Sequence, residues 1–374
     1  MKKNIRFLFI SFSFLATITT AILANLPLVD GTWYNGFTLL LLNALLFLNV
    51  FIFFIALFTI RYLCIVVLLS IGLSYNSVIE IFSFNIPTKS HTSKNKLSVL
   101  SYNVASFNTQ RFQKFLDTLD KEALSTWLDK HSVADEQLTW LGQQTADIVC
   151  FQEFYNNDNR NSEKTHSKAH EYYQYSYTSP VVVQEHEGFF GVAIFSRFPI
   201  VNYGNIGMDT TKTTLNKAVY ADILTPRQDT LRIINIHLES MSIRFTPLLA
   251  SNSYETFVAA LIDIISKLRN GFGKRKQQID SIVRFVAQSP HKVILCGDFN
   301  DIPLSYTYRS MKKQLLSSFE KAGWGFGFTC NRRPYWIRID HLFHSASIQA
   351  INCQVLRENK QSDHFPVYAE YVWE

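Results

Sequence analysis

The chain has 374 residues, of which 47% are hydrophobic, 14% aromatic and 18% charged, and its net charge is +6. The 31 phenylalanines and the low charged fraction exclude a disordered chain, a collagen-like chain and a coiled coil, and they indicate that part of the chain lies outside water. Residues 1–88 contribute +2 of this charge and residues 89–374 contribute +4. This mild excess fits a polyanionic substrate without requiring one.

Three apolar runs occupy the first third of the chain: Ile5–Leu28, Phe37–Ile60 and Tyr62–Ile81. A helix needs about 20 mostly apolar residues to cross a bilayer, so the first two runs are long enough. The third run is marginal because polar residues and Glu80 dilute it. The sequence therefore predicts two to three transmembrane helices.

The basic residues of this region predict its orientation. Lys2, Lys3 and Arg6 precede or begin the first run, and Arg61 lies between the second and third runs. Since basic residues mark the cytoplasmic side, three crossings would place everything after about residue 85 on the non-cytoplasmic side.

Three alternatives to this topology stay open. The first run has the opening of a cleaved signal peptide, the third run could lie on the membrane surface, and the whole region could be a buried helical domain of a soluble protein. We expect a multi-pass membrane anchor over residues 1–88, a polar linker over 89–96 and a catalytic domain over 97–374.

The remainder of the chain alternates short β-rich runs with helical patterns. Eight strands are predicted: Leu97–Tyr102, Asp147–Phe151, Phe189–Phe195, Ala218–Leu224, Leu231–His237, Lys292–Cys296, Ile337–Phe343 and Val367–Val372. A helix is expected over residues 274–288, where Ile279, Ile282, Val283 and Val286 share one face. This mixture predicts sheets covered by helices. The five cysteines form no CxxC pair, and we expect them to be unpaired small hydrophobic residues.

Acidic, amide and imidazole side chains recur at or near the ends of these apolar strands. The segments that carry them are Ser-Tyr-Asn103, Gln152-Glu153, Asn235-Ile-His237, Gly297-Asp-Phe-Asn300, Ile339-Asp340-His341 and Ser362-Asp-His364. Strands are rigid, so polar groups at the ends of neighbouring strands can converge at one end of a sheet. Such a cluster suits metal-assisted hydrolysis of a phosphate ester, because Mg²⁺ prefers oxygen ligands and an imidazole can transfer the proton of the attacking water.

These segments, together with Gly191–Pro199, occur in the order found in the endonuclease/exonuclease/phosphatase superfamily, which the chain resembles from about residue 97 to 374. The resemblance implies the fold of deoxyribonuclease I. That fold is an α/β four-layer sandwich of two mixed β-sheets flanked by helices, here preceded by an N-terminal transmembrane helical segment. It also implies a hydrolase that uses Mg²⁺ or Mn²⁺.

The resemblance implies a role for each matching residue. Glu153 would ligate the metal with Asn103 beside it, and Asp363 would support the same metal environment. Asp298 would position the attacking water or a second metal, and Asn300 would contact the scissile phosphate.

The remaining roles concern proton transfer. His364 would act on the phosphate or on the nucleophilic water, and Asp340 would fix the tautomer of His364. His237 would contact a phosphate oxygen and is the candidate general acid. Each residue has a plainer alternative as a turn, capping or packing residue, and their shared order favours function.

The substrate follows less directly from the motifs. A phosphodiester in nucleic acid is the leading expectation, and a phospholipid or sphingolipid headgroup is the second. A catalytically inactive, membrane-tethered binding protein is the alternative from another class, and the motifs imply no obligate protein partner. Ser240–Arg269 matches no motif, and the basic cluster around Arg269 and Lys276 is typical of a solvated helix start, although it could touch an anionic substrate or a lipid headgroup.

Overall fold

The computed structural model describes residues 2–26, 32–85, 95–107, 133–156, 165–183, 188–208, 216–240, 248, 250–332 and 336–374. The chain forms two compact units. The first unit comprises Met1–Phe82, Met241–Lys276 and Pro303–Arg309, and the second comprises Ser83–Ser240, Gln277–Ile302 and Ser310–Glu374. Of the expected linker 89–96, residues 89–94 lie outside the described part of the chain, and residues 95 and 96 are in a strand.

The first unit is helical. It contains α1 (Lys2–Asn25), α2 (Trp33–Thr59), α3 (Arg61–Leu73), α4 (Tyr75–Ile81) and the first part of a long helix described below. Within α1 and α2, the segments Asn4–Asn25 and Tyr34–Thr59 are long and apolar enough to cross a membrane.

A buried polar network holds the first three helices together. Asn49 of α2 donates through Nδ2 to Thr20 Oγ1 (2.6 Å), and Thr17 Oγ1 lies 3.0 Å from Asn49 Oδ1. Ser70 of α3 donates to the Thr17 carbonyl at 2.9 Å. Such hydrogen bonds fix the mutual register of helices whose surfaces are otherwise uniformly apolar.

The third apolar run is divided into α3 and α4, which meet at an angle of 76°. Only the two together are long enough to count as a span. Asn25 Nδ2 donates to the Leu73 carbonyl at 3.1 Å, so α3 ends beside the end of α1.

The second unit is built on strands that we number β1 to β14. Their bounds are β1 Ser83–Phe84, β2 Asn95–Asn103, β3 Ile148–Asn156, β4 Tyr175–Val183, β5 Gly188–Ser196, β6 Ile200–Asn205, β7 Lys217–Leu224, β8 Thr230–His237, β9 Lys292–Asp298, β10 Leu316–Ser317, β11 Trp324–Gly325, β12 Asp340–His344, β13 Gln349–Val355 and β14 Val367–Trp373. The other helices are α5 Val133–Gly142, α6 Thr165–Ala169, α7 Tyr254–Ala287, α8 Tyr306–Lys312 and α9 Ser318–Ala322.

Two six-stranded sheets form the frame of this unit, in the orders β10-β12-β9-β8-β7-β6 and β13-β14-β2-β3-β5-β4. Each contains one parallel pair, β8 with β9 and β2 with β3, among antiparallel neighbours. The expected α/β sandwich of two mixed sheets flanked by helices is confirmed.

The core between the sheets follows the period of two in the strands. Val99, Ile148 and Ile194 of one sheet pack with Ile233 and Ile294 of the other. The alternate residues of the sheet that contains β2 and β3 point outward, where Leu100 and Val149 pack on Leu138 and Leu141 of α5. The outer face of the sheet that contains β7 and β8 meets the last turns of α7, where the rings of Phe285 and Tyr220 lie 5.0 Å apart.

The eight predicted strands are present, although their bounds differ from the predicted ones by one to five residues. The run predicted as Ile337–Phe343 becomes β12, which begins only at Asp340, so Asp340 lies at the start of the strand rather than inside it. The sequence missed β4, β6, β10 and β13, all of which are edge strands, and the two-stranded β1–β11 pair. Edge strands such as β6 expose most of their side chains and therefore lack an apolar run.

The predicted helix 274–288 is the second part of α7, which starts twenty residues earlier, at Tyr254. The basic cluster at 269–276 therefore lies within a helix, and its interpretation as a helix start is wrong. The five cysteines are free, as expected.

A buried ion pair stabilises the sheet that contains β7 and β8. Arg232 of β8 binds Asp222 of β7 in a two-pronged contact, with Nε–Oδ1 and Nη2–Oδ2 distances of 2.7 Å each. Its guanidinium lies 4.6 Å from the Tyr220 ring and 5.1 Å from the Phe285 ring. Removing one partner of a buried pair leaves an uncompensated charge, which costs about 3–5 kcal/mol.

We expect Arg232→Met to lower the thermal unfolding midpoint of the full chain in detergent by about 10 °C. The matched control is Lys96→Met, because Lys96 makes a 3.0 Å pair with Glu370 while its side chain is 53% exposed. Such a surface pair is worth about 1 kcal/mol or less, so the control should shift the midpoint by only about 2 °C. Near-ultraviolet circular dichroism measures the unfolding midpoints of both variants. Equal shifts would contradict a larger stabilising role for the buried Arg232–Asp222 pair than for the surface pair.

Candidate active site

The two parallel strand pairs carry polar side chains at their carboxyl ends. Asn103 ends β2 and is paired with Gln152 of β3. His237 ends β8 and is paired with Asp298, the last residue of β9. Because strands in a parallel pair end at the same edge, each sheet presents two adjacent polar groups there.

Glu153 reaches this edge through a bulge in β3. The pairing of β3 with β5 shifts register between Phe151 and Phe154, and Glu153 has a φ angle of +51°. A left-handed conformation is costly for a glutamate and is characteristic of functional positions. Its Oε1 lies 3.3 Å from Asn103 Nδ2 and 3.7 Å from His237 Nε2.

Asp298 is the buried centre of the cluster, with 1% of its surface exposed. Its Oδ2 accepts from Asn103 Nδ2 at 3.0 Å, and its Oδ1 accepts from the Asn300 backbone N–H at 2.7 Å. Burial raises the pKa of this carboxyl, a shift that Asp340 reinforces and that His364 and His237 oppose. The preceding Gly297 has a φ of +142°, and a Cβ there would lie 2.0 Å from the Ile236 carbonyl, so only glycine fits.

His364 lies between two aspartates. Its Nδ1 is 2.9 Å from Asp340 Oδ2, and its Nε2 is 3.7 Å from Asp298 Oδ2. Burial alone would lower the pKa of His364, but the carboxylates of Asp340, Asp298 and Asp363 raise it well above its ordinary value. The bond to Asp340 fixes the orientation of the imidazole ring.

Asn300 is oriented by its own turn. It has a φ of +49°, which asparagine tolerates better than most residues. Its Nδ2 donates to the Leu238 carbonyl at 2.9 Å and lies 3.3 Å from Asp298 Oδ2. The amide is therefore fixed beside the Asp298 carboxylate.

Asp363 is oriented differently from the other predicted residues. Its side chain forms an ion pair with the largely exposed Arg332, and Ser362 Oγ lies 3.4 Å from its Oδ1. It influences His364 electrostatically, but within the described residues its carboxylate is not part of the group of closely spaced metal-capable atoms.

Four supporting residues were not predicted as part of the site. Gln152 Nε2 donates to Asn235 Oδ1 at 2.6 Å, and Asn235 Nδ2 donates to the carbonyls of Phe151 (2.8 Å) and Ala193 (2.9 Å). These buried bonds join the two sheets beneath Glu153. The motifs contained Gln152 and Asn235, but their pairing depends on how the sheets face each other.

The other two supports fix the backbone at His364 and at Asp340. Ser362 Oγ donates to the Asn103 carbonyl at 2.7 Å and accepts from the His364 N–H at 3.2 Å. Thr329 Oγ1 accepts from the backbone N–H groups of Ile339 and Asp340 at 3.0 and 3.1 Å. Thr329 lies outside every motif, so the sequence offered no signal for it.

The cluster fits a divalent metal ion. Among the described residues, Asp298, Asp340 and His364 have possible ligand atoms within 4.8 Å of one another, and the Asp340 carboxylate of this group is already bonded to His364 Nδ1. Glu153, with 29% of its side chain exposed, adds a carboxylate that is accessible to solvent. Asn103 turns its amide nitrogen toward the carboxylates of Glu153 and Asp298, so it donates to both. Several carboxylates at one partly open edge form the oxygen-rich donor set that Mg²⁺ and Mn²⁺ prefer.

His341 illustrates a packing histidine beside the site. It is buried, and its Nε2 lies 2.9 Å from the Asp301 carbonyl. Burial, with a contribution from Arg338, lowers the pKa of His341 to about 3. It therefore stays neutral near pH 7, which suits a structural residue.

A family model described as "Endonuclease/Exonuclease/phosphatase family" matches residues 100–364. The chain belongs to this family, whose members are phosphoester hydrolases and generally use divalent metals. No curated protein matches the sequence of this chain.

Solved structures share the fold at low sequence identity. One is a family member from Bacteroides thetaiotaomicron, with 18% identity, a TM-score of 0.52 and coverage of 75% of this chain and 98% of that one. Another is from Beutenbergia cavernae, with 15% identity, a TM-score of 0.52 and coverage of 75% and 72%. A third is ANGEL2, described as a 2',3'-cyclic phosphatase, with 14% identity, a TM-score of 0.50 and coverage of 76% and 99%.

We expect Glu153→Gln to weaken Mn²⁺ binding by about 10-fold or more, because it removes one negative charge from the open side of the cluster. Isothermal titration calorimetry of the full chain in detergent measures the affinity. Glu171→Gln is the matched control, since Glu171 lies in an exposed turn after α6. Equal affinities for the two variants would exclude Glu153 as a ligand.

Proposed function

We propose that this protein is a divalent-metal-dependent phosphoester hydrolase that cleaves phosphodiester bonds with Mg²⁺ or Mn²⁺. The observation that carries the proposal is the continuous cluster at the strand ends. The amide of Asn103 contacts both Glu153 and Asp298, and His364 lies between Asp298 and Asp340. These groups come from both sheets, and they supply carboxylates, amides and imidazoles within one site.

In this proposal Glu153, Asn103 and Asp363 hold the metal environment. When bound, the ion neutralises charge that develops on the phosphoryl oxygens and stabilises the leaving oxygen. Asp363 is paired with Arg332 and its side chain is 19% exposed, so it would contribute through its charge.

Asp298 is proposed to orient the attacking water. Its carboxylate is held by the Asn300 N–H and by Asn103 Nδ2, so its direction is fixed before substrate arrives. A preorganised acceptor of this kind avoids reorganisation during the reaction. The side chain of Asn300 is proposed to donate to the scissile phosphate.

The two histidines are proposed to act on the phosphate and its protons. His364 presents Nε2 to the cluster while Asp340 binds Nδ1, which fixes both the ring and its tautomer. His237 Nε2 lies 3.7 Å from Glu153 and 3.8 Å from Asp298, close enough to reach a phosphate oxygen or a leaving group bound there. His237 is the proposed general acid.

Nucleic acid is the substrate class that the ordered motifs favour. The second candidate is a lipid phosphodiester of the sphingomyelinase type, which the two membrane-competent helices favour because enzyme and substrate would then share a surface.

We propose a multi-pass membrane anchor with the catalytic domain on the non-cytoplasmic side. The basic residues at the N-terminus favour a cytoplasmic start. The Asn25–Leu73 hydrogen bond supports a third crossing, because α3 ends beside the end of α1, opposite the N-terminus.

The full chain in detergent should hydrolyse at least one of bis(p-nitrophenyl) phosphate, an oligonucleotide and sphingomyelin when Mg²⁺ is present. Chelator should abolish the reaction, because the carboxylate cluster alone cannot neutralise the phosphate. Asp298→Ala should reduce turnover to background while the circular dichroism spectrum is retained. Absence of metal-dependent turnover on all three substrates would favour the inactive binding protein instead.

Asp340→Asn should lower kcat by about 100-fold while leaving the Mg²⁺ concentration for half-maximal rate unchanged, because Asp340 acts by orienting His364. Asp229→Asn is the control, since Asp229 accepts from Trp373 Nε1 just before β8, at the opposite end of that strand from His237. A normal kcat for Asp340→Asn would remove the Asp340–His364 pair from the mechanism.

A further inference from the structure

The first part of α7, residues 254–276, is an amphipathic helix of the helical unit. One face packs on α2, where Ile264, Leu268 and Phe272 contact Phe37 and Leu40. The rings of Phe37 and Phe272 lie 6.0 Å apart in an edge-to-face arrangement. A Cβ at Gly36 would lie 2.6 Å from the Phe272 ring, so glycine permits this close contact.

A second apolar stripe on this helix is exposed. Tyr254, Ile262 and Ile265 are 79%, 62% and 46% exposed, and Phe257 is 42% exposed. Tyr254, Ile262 and Ile265 share one side of the helix by their spacing, beside the face packed on α2, whereas Phe257 lies on the side of Ile264 and Leu268. On the opposite side, Asp263 and Lys267 form an exposed ion pair at 2.7 Å.

The contact with α2 fixes where this stripe lies along the proposed span. The α2 helix has 27 residues, which corresponds to about 40 Å, whereas the hydrocarbon core of a bilayer is about 30 Å thick. Tyr34 in the first turn of α2 is 53% exposed, and tyrosine is enriched at membrane interfaces, which favours placing this end of α2 at the interface. Phe37 and Leu40 follow within the next two turns, so the packed part of α7 lies near this end of α2.

The helix has a net positive charge. Residues 254–276 contain five basic and two acidic side chains, and the basic ones lie after the apolar stripe, from Lys267 to Lys276. Arg275 is fully buried beside Phe272, and Lys267 is paired with Asp263. An exposed apolar stripe followed by basic residues is typical of helices that lie in the plane of an interface.

We infer that residues 254–276 of α7 form an interfacial helix whose stripe Tyr254, Ile262 and Ile265 inserts into the bilayer leaflet at which α2 begins. This inference rests on the proposed membrane anchoring but not on the proposed chemistry. It assigns a lipid-binding role to the segment between the motifs of His237 and Asp298, where no motif was found.

Site-directed spin labelling tests this inference in the full chain. Nitroxide labels are placed at Ile262→Cys and, one residue away on the polar face, at Asp263→Cys, in a background with Cys330→Ser. A third label at Phe51→Cys reports on α2, where Phe51 is 63% exposed. The proteins are reconstituted into bilayers of phosphatidylcholine and phosphatidylglycerol, and collisions with oxygen and with a water-soluble nickel chelate are measured.

We expect the ratio of oxygen to nickel collisions to be several-fold higher at Ile262 than at Asp263, and high at Phe51. If Phe51 is in lipid and Ile262 collides freely with nickel, the helix lies in water and the inference is overturned. If Ile262 is shielded from both reagents, a protein covers the stripe, which also overturns it. If the label at Phe51 is accessible to nickel, α2 is not in lipid and the proposed membrane anchoring is wrong. Hydrolysis of a soluble phosphodiester tests the proposed chemistry separately, because it does not depend on any of these three outcomes.

Discussion

The site depends on one constraint: two parallel strand pairs, one in each sheet, must end at the same edge of the sandwich. The buried bond from Gln152 to Asn235, together with the bonds from Asn235 to Phe151 and Ala193, fixes this arrangement. Above it, Asn103 of one sheet donates to Asp298 of the other. Polar groups buried without partners would be costly, so these bonds specify one mutual placement of the sheets and hence of the strand ends.

The sequence predicted those strands whose run of apolar residues matches their burial in the folded chain. Central strands such as β9 are buried on both sides and appear as apolar runs, whereas the edge strands β4, β6, β10 and β13 have no such run. The structure brings most of the motif residues close together, whereas Asp363 is paired with Arg332. The motifs could not reveal Thr329, whose hydroxyl accepts two backbone N–H groups, because its role depends on a neighbour distant along the chain.

The least predictable segment was the one between His237 and Asp298. It matched no motif, yet it supplies a helix of 34 residues whose first part packs on α2 and whose last part covers the sheet. Its apolar stripe and the helical spacing are visible in the sequence, but only the contact with Phe37 and Leu40 distinguishes a face packed on protein from a face left exposed. The family model covers this segment, but the segment carries none of the family's motifs. We propose that its first part contacts lipid.

The most direct test of the central claim is to locate a bound metal. Crystals of the full chain grown with Mn²⁺ and measured at the manganese absorption edge should show an anomalous peak at the joint edge of the two sheets. We predict a metal–oxygen distance of about 2.1 Å to the Glu153 carboxylate, with Asn103 and Asp298 beside the ion. A peak elsewhere, or no peak at this edge at saturating Mn²⁺, would contradict a single metal-assisted site formed by the two sheets.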